Sequence, residues 1–138
     1  MPVNRRSGKV RVLLVEDNPR TVSFVWAALC QRWWGRAALE SKKSLSEALD
    51  SLRSQTFDAL LVDLSVPDLE SPDALSRLAE VAGNLPVILL ISEDDTDRMV
   101  RARSMGIHSW LRKETLTVSR LANEIGSALE PAPAADTR

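Results

Sequence analysis

Lys9-Val10-Arg11-Val12-Leu13-Leu14-Val15-Glu16-Asp17-Asn18-Pro19 is the stretch whose reading decides the fold. Residues 10–15 form a short, nearly continuous apolar run rich in valine and leucine. Such a run reads as a strand buried on both faces, which is how the central strands of a parallel sheet look. Two acids end it, and Pro19 then suits the first turn of a helix. Val22, Val25 or Trp26, Leu29 and Trp33 follow at three- and four-residue steps, the spacing of an amphipathic helix.

The same unit recurs outward from there. Residues 59–62 and 87–91 are further apolar runs of the same character, and residues 36–39 and 108–112 read as weaker strands. Ser44 with Glu47 three residues on is a capping box that opens a helix through Leu45, Ala48, Leu49 and Leu52. Residues 72–82 place Leu75, Leu78, Ala79 and Ala82 on one face and stop at Gly83-Asn84. Residues 95–105, closed by Gly106, and residues 118–129 read as the last two helices. Strand and helix thus alternate about five times, and right-handed crossovers then give an α/β fold, a three-layer sandwich around a parallel sheet.

Bulk properties narrow the function. The chain has 138 residues, enough for one domain, and its formal net charge of -1 shows no excess of either sign. No direct nucleic-acid or membrane partner is implied. The single cysteine, Cys30, cannot close an internal disulfide and suits a reducing compartment as a small core or half-buried residue. Residues 1–9 are not followed by an apolar segment of signal-peptide length, and the most apolar stretch, residues 85–91, falls far short of the roughly 20 residues of a membrane helix. A cytoplasmic protein is expected.

In an open parallel sheet, ligands bind outside the carboxyl ends of the strands. Here the first apolar run ends in Glu16-Asp17, the third in Asp63 and the fourth in Ser92, and the fifth is followed by Lys113. Each alone has a plain structural explanation, as a helix cap or a solvated lysine. Together they put three carboxylates, a hydroxyl and an amine on one edge. Three neighbouring carboxylates repel unless a cation sits among them. Magnesium prefers oxygen ligands and typically takes one or two carboxylates plus a substrate phosphate, so Glu16, Asp17, Asp63 and a backbone carbonyl just past Asp63, that of Ser65, form a suitable set. A carboxylate can itself attack phosphorus and form an acyl phosphate. Asp63, at the end of the most central strand, is the candidate nucleophile, with Lys113 neutralising charge and Ser92 hydrogen-bonding one phosphoryl oxygen.

Residues 12–19 (Val-Leu-Leu-Val-Glu-Asp-Asn-Pro), 60–68 (Leu-Leu-Val-Asp-Leu-Ser-Val-Pro-Asp) and 106–113 (Gly-Ile-His-Ser-Trp-Leu-Arg-Lys) resemble the three signature blocks of response-regulator receiver domains, of the chemotaxis-regulator type. The resemblance covers residues 9–129, leaving 1–8 as a flexible N-terminus and 130–138 as a disordered tail or the start of a linker. It implies a flavodoxin-like sandwich with five helices and a five-stranded parallel sheet in the order 2-1-3-4-5. It also implies that Glu16 and Asp17 are the acidic metal pair for Mg²⁺ or Mn²⁺, Asp63 the phosphoacceptor, Ser92 the switch hydroxyl, Lys113 the invariant lysine and Trp110 the switch aromatic. Phosphorylation would draw Ser92 inward, Trp110 would follow, and the surface of the fourth helix, fifth strand and fifth helix would change partners. The implied partners are a sensor histidine kinase or phosphotransfer protein, an effector domain or downstream protein, and a second copy of the chain. The domain would be regulatory rather than an enzyme, beyond slow self-dephosphorylation.

Two departures qualify the match. Glu114 follows Lys113 where the family usually has a proline, often after a cis bond, and residues 69–72 lack the family's glycine, which suggests a stiffer loop or an earlier helix start. The alternative for Trp110 is an edge-strand residue packed on the last helix. His108, the only histidine, reads as a surface or packing residue. Of the adjacent Trp33 and Trp34, at least one should be exposed and mark either a partner surface or a cap on the core. Glu93, Asp94, Asp95 and Asp97 suit the start of the fourth helix. The competing functions are a non-phosphorylated receiver used as an interaction or dimerisation module, and an aspartyl-phosphate phosphatase, disfavoured because Ser65 stands where that class needs a second aspartate. Flavin binding is disfavoured by the charge of Glu16-Asp17.

Overall fold

A computed structural model describes residues 9–107 and 109–130. The proposed flexible N-terminus, residues 1–8, the proposed tail 130–138 apart from Glu130, and His108 lie outside the described residues. Five strands, β1 (Val10–Val15), β2 (Ala37–Lys42), β3 (Ala59–Asp63), β4 (Val87–Ile91) and β5 (Ser109–Arg112), alternate with five helices. These are α1 (Pro19–Trp33), α2 (Leu45–Ser54), α3 (Ala74–Ala82), α4 (Thr96–Ser104) and α5 (Val118–Leu129). All strand pairs are parallel and the order is β2-β1-β3-β4-β5, as expected.

The continuous apolar runs are explained by two cores, one on each face of the sheet. Because successive strand residues point to opposite faces, Leu13, Val15, Leu60, Val62, Leu89 and Ile91 face α2, α3 and α4, meeting Leu49, Leu78 and Ala102. Val12, Leu14, Leu61, Ile88 and Leu90 face the other way, onto Val25 and Leu29 of α1 and Leu121 and Ile125 of α5. The strand residues of both sets are no more than 1% exposed, so each large side chain contributes about 1.5–3 kcal/mol of burial.

Several element ends, and one helix cap, differ from expectation. β2 runs to Lys42 rather than stopping at 39, because β1 pairs with it residue for residue from Val10↔Ala37 to Val15↔Lys42. Its last residues, Glu40, Ser41 and Lys42, are polar because it is an edge strand, which hid them from a search for apolar runs. α3 begins at Ala74, not 72: the Ala74 amide bonds Ser71 O at 3.0 Å, closing a turn, and a short 3₁₀ turn at Pro67–Leu69 takes up the chain before it. The loop therefore lacks the earlier helix start. α4 begins at Thr96 after a 3₁₀ turn at Glu93–Asp95. At α2 only half of the capping box forms. Ser44 Oγ accepts the Glu47 amide at 3.2 Å, while the Leu45 and Ser46 amides are taken by the carboxylate of Asp68 at 2.9 and 3.1 Å.

The remaining aromatic and thiol readings can be placed directly. Val25 is buried and Trp26 is 44% exposed, so the α1 stripe runs through Val25. Trp34 is 81% exposed, Trp33 is half-buried against the core under the Arg32 guanidinium, and Cys30 is half-buried. Among the described residues no helix is long and apolar enough to cross a membrane.

Candidate functional site

β3 is the middle strand, and its last residue is Asp63, whose side chain is fully buried. A charge in that position requires partners, and they come from three loops. Lys113 Nζ, just past β5, donates to both carboxylate oxygens at 3.1 and 2.9 Å. Ser65 donates its amide at 2.8 Å and its hydroxyl at 2.7 Å to Oδ1. Glu16, the residue after β1 and 3% exposed, brings its carboxyl against Asp63.

Two buried carboxyls this close cannot both ionise readily. Burial, then the hydrogen bond and charge of Asp63, push the Glu16 carboxyl up to about 8. For Asp63, burial pushes upward too, but the hydrogen bonds from protonated Glu16, Ser65 and Lys113 outweigh it and hold its carboxyl below the ordinary aspartate range. The opposite shifts favour a proton on Glu16 over one on Asp63. Asp63 remains an ionised carboxylate, the form that can act as a nucleophile.

The other expected site residues are placed less tightly. Asp17 is exposed at the rim, near enough to add to the upward shift of Glu16. Its amide and that of Asn18 donate to Glu16 Oε1 at 2.9 and 3.1 Å. Among the described residues no three acidic, histidine or cysteine side chains are gathered into a metal cage. Ser92 follows the adjacent strand, but its amide and hydroxyl both go to Asp95 Oδ2, at 2.9 and 3.3 Å, rather than to Asp63. Trp110 is half-buried and packs on the core shared with α2, α3 and α4, with the Arg103 guanidinium 5.7 Å from its ring centre. That corrects the alternative of packing against α5, because side chains alternate along β5 and Leu111, not Trp110, joins the α5 core.

Several participants were missed by sequence reading. The sequence points to the Ser65 carbonyl, whereas its hydroxyl, which bonds Asp63 Oδ1, carries no signal in the apolar runs. Glu114 Oε2 accepts the Glu93 amide at 3.3 Å and so ties the loop after β5 to the loop after β4. No cis peptide occurs among the described residues, and Lys113–Thr115 forms a 3₁₀ turn. Arg98 donates to Leu64 O and Leu69 O, both at 2.7 Å, across 34 and 29 residues of sequence. No local signal announces contacts of that range.

Comparison with known proteins agrees with this fold. A family model described as the response regulator receiver domain matches residues 12–125. The probable transcriptional regulatory protein TcrX of Mycobacterium tuberculosis is 28% identical over 104 residues, covering 75% of this chain and 43% of the relative. The chain therefore spans less than half the length of that protein. A CheY-like receiver domain protein of Methanospirillum hungatei has a TM-score of 0.76 at 18% identity, covering 88% of this chain and 94% of that one. The receiver domain of the sensor histidine kinase PA1611 from Pseudomonas aeruginosa, solved with a magnesium ion in its active-site cleft, gives 0.72 at 23% identity over 88% of this chain and 98% of that one. At these identities the likeness to the two structures is one of fold.

Proposed function

The chain belongs to the response regulator receiver domain family of two-component signalling, and on that premise we propose that it is a phosphorylation switch in which Asp63 accepts a phosphoryl group in the presence of magnesium. The observation that carries this reading is the Lys113 amine bonded to both oxygens of a buried carboxylate at the end of the central strand. A position kept only for packing would more simply hold an apolar residue, without the desolvation cost of a buried ion pair.

The donors at hand fit a hard divalent cation. Glu16 and Asp63 offer a facing pair of oxygen donors, to which Asp17 at the rim and the Ser65 carbonyl would add, and the pair holds two carboxyls that cannot both carry charge without a cation. Bound magnesium would supply charge neutralisation on the phosphoryl oxygens. One Asp63 oxygen attacks phosphorus; the bond from phosphorus to the donor, the imidazole nitrogen of a phosphohistidine, breaks and its electron pair leaves with the imidazole. Because Asp63 is already ionised, no general base is needed. Lys113 offsets negative charge on the equatorial oxygens, and Ser92, once free of Asp95, hydrogen-bonds one of them. Trp110 would then report the change on the α4-β5-α5 surface, to which an effector or a second copy would respond.

The phosphatase alternative lacks its acid: Ser65 spends its hydroxyl on Asp63 Oδ1. Intact mass after incubation with a small-molecule acyl phosphate and Mg²⁺ tests the proposal. One added phosphoryl group is expected, absent with chelator and absent in Asp63→Asn. An unmodified wild-type chain under these conditions would leave the passive interaction module as the better reading.

A further inference from the structure

Ser92, the hydroxyl assigned to the phosphoryl group, is already engaged, and what engages it reaches back to the loop behind Asp63. Asp95 Oδ2 accepts both the Ser92 amide and the Ser92 hydroxyl. Its other oxygen, Oδ1, accepts Arg98 Nη1 at 3.3 Å. The same guanidinium donates from Nη1 to Leu64 O and from Nη2 to Leu69 O. These carbonyls bracket the loop that begins one residue after the nucleophile and contains Ser65. The Asp95 side chain is 13% exposed and that of Arg98 24%, so water competes little for these bonds.

We propose that Asp95 and Arg98 are positioning residues that form a clamp, holding the Ser92 hydroxyl away from Asp63 and fastening the start of α4 to the β3–α3 loop until phosphorylation opens it. This rests on the reading of Asp63 as phosphoacceptor. A hydroxyl has one proton to donate. Ser92 can give it to Asp95 or to a phosphoryl oxygen on Asp63, but not to both. Transfer of that bond releases one of the three hydrogen bonds on Asp95, and because Asp95 also holds Arg98, the change passes to α4 and to the loop at Leu64 and Leu69 through contiguous hydrogen bonds rather than through packing alone. A plain N-cap at the 3₁₀ turn would require only the Ser92–Asp95 bonds. The guanidinium with its two long-range carbonyl partners is the part that capping leaves unexplained.

Two measurements on the full chain test this. The first uses no phosphodonor: amide hydrogen exchange in residues 92–98 and 64–70. Asp95→Asn and Arg98→Met should each raise exchange in both segments, although each replaces a residue of the first segment only. Exchange that changes only in residues 92–98 overturns the clamp. The second is the rate of Asp63 modification by a small acyl phosphate with Mg²⁺. Asp95→Asn should be modified roughly threefold to tenfold faster than wild type, the size of effect that one hydrogen bond makes, and the difference should vanish in a Ser92→Ala background. Equal rates, or a difference that persists without the Ser92 hydroxyl, overturn the positioning role. A wild-type chain that takes up no phosphoryl group removes the phosphoacceptor reading and the kinetic half of the proposal with it, while the exchange result still decides whether the clamp exists.

Discussion

Lys113 is the side chain whose removal bears most directly on Asp63. Lys113→Met leaves a buried carboxylate with Ser65 and Glu16 as its partners, so Asp63 should titrate higher and the domain should lose about 1–2 kcal/mol, below the figure for a fully buried pair because Lys113 is 34% exposed. Urea midpoints of wild type and variant at pH 7 measure it; an unchanged midpoint would contradict the pairing. Glu16 makes a second prediction with the opposite sign from most acids. Its carboxyl is raised from 4.5 in the unfolded chain to about 8 in the native one. Between those values the folded state holds a proton that the unfolded state has released, so stability in chelator should fall as pH rises toward 8 and level off above it. One proton sets a limit of about 1.4 kcal/mol per pH unit on the slope. Asp63 acts at the acid end: its carboxyl is lowered, so its contribution is present above the ordinary aspartate value and lost as pH falls through the lowered one. Glu16→Gln should flatten the neutral limb only. At this scale the acids and the lysine could be read from the residues that end each apolar run. The proton shared between Glu16 and Asp63 could not, since it depends on how close two carboxyls 47 residues apart in sequence are brought.

Helix caps carry the next prediction. Asp68 supplies both oxygens to the first turn of α2 from the 3₁₀ turn that follows β3. Asp68→Ala should cost about 1–2 kcal/mol, the upper part of the range for a lost N-cap. Ser44→Ala, which removes one bond to one amide, should cost less. If thermal unfolding ranked the two the other way, Ser44 would be the principal cap, as its spacing from Glu47 alone suggests. That reversal shows which part of an element is legible in sequence. The bodies of α1, α2 and α5 follow from apolar spacing because each buries one stripe against the sheet. Their ends are decided by whichever donors and acceptors arrive from elsewhere: Asp68 at α2, the Ser71 carbonyl before α3, and the β1 ladder along β2. α4 is the extreme case, with only Ala102 fully buried on it. Its position is held by Arg98 and Asp95, so its starting turn was the harder to read.

The two cores share one sheet, and this makes the molecule a single cooperative unit. Leu60 and Leu61 are adjacent on β3 and fully buried, yet Leu60 belongs to the α2-α3-α4 core and Leu61 to the α1-α5 core. Replacing either by alanine should cost about 2–5 kcal/mol, the range for a buried leucine. Because β3 pairs with β1 and β4 on either side, a defect on one face weakens strands that the other face also needs. Both variants should therefore unfold in one transition. The tryptophans make this testable: Trp33 lies against one core and Trp110 against the other. Fluorescence of a chain keeping only Trp33, of one keeping only Trp110, and far-ultraviolet circular dichroism should give the same urea midpoint for each leucine variant. Two midpoints, with the Trp33 signal lost first in Leu61→Ala and the Trp110 signal first in Leu60→Ala, would mean that the layers melt independently. A switch built on such a sheet could not carry a change at Asp63 to a distant face, whereas a sheet that unfolds as one piece gives α4 and β5 a rigid reference against which to move.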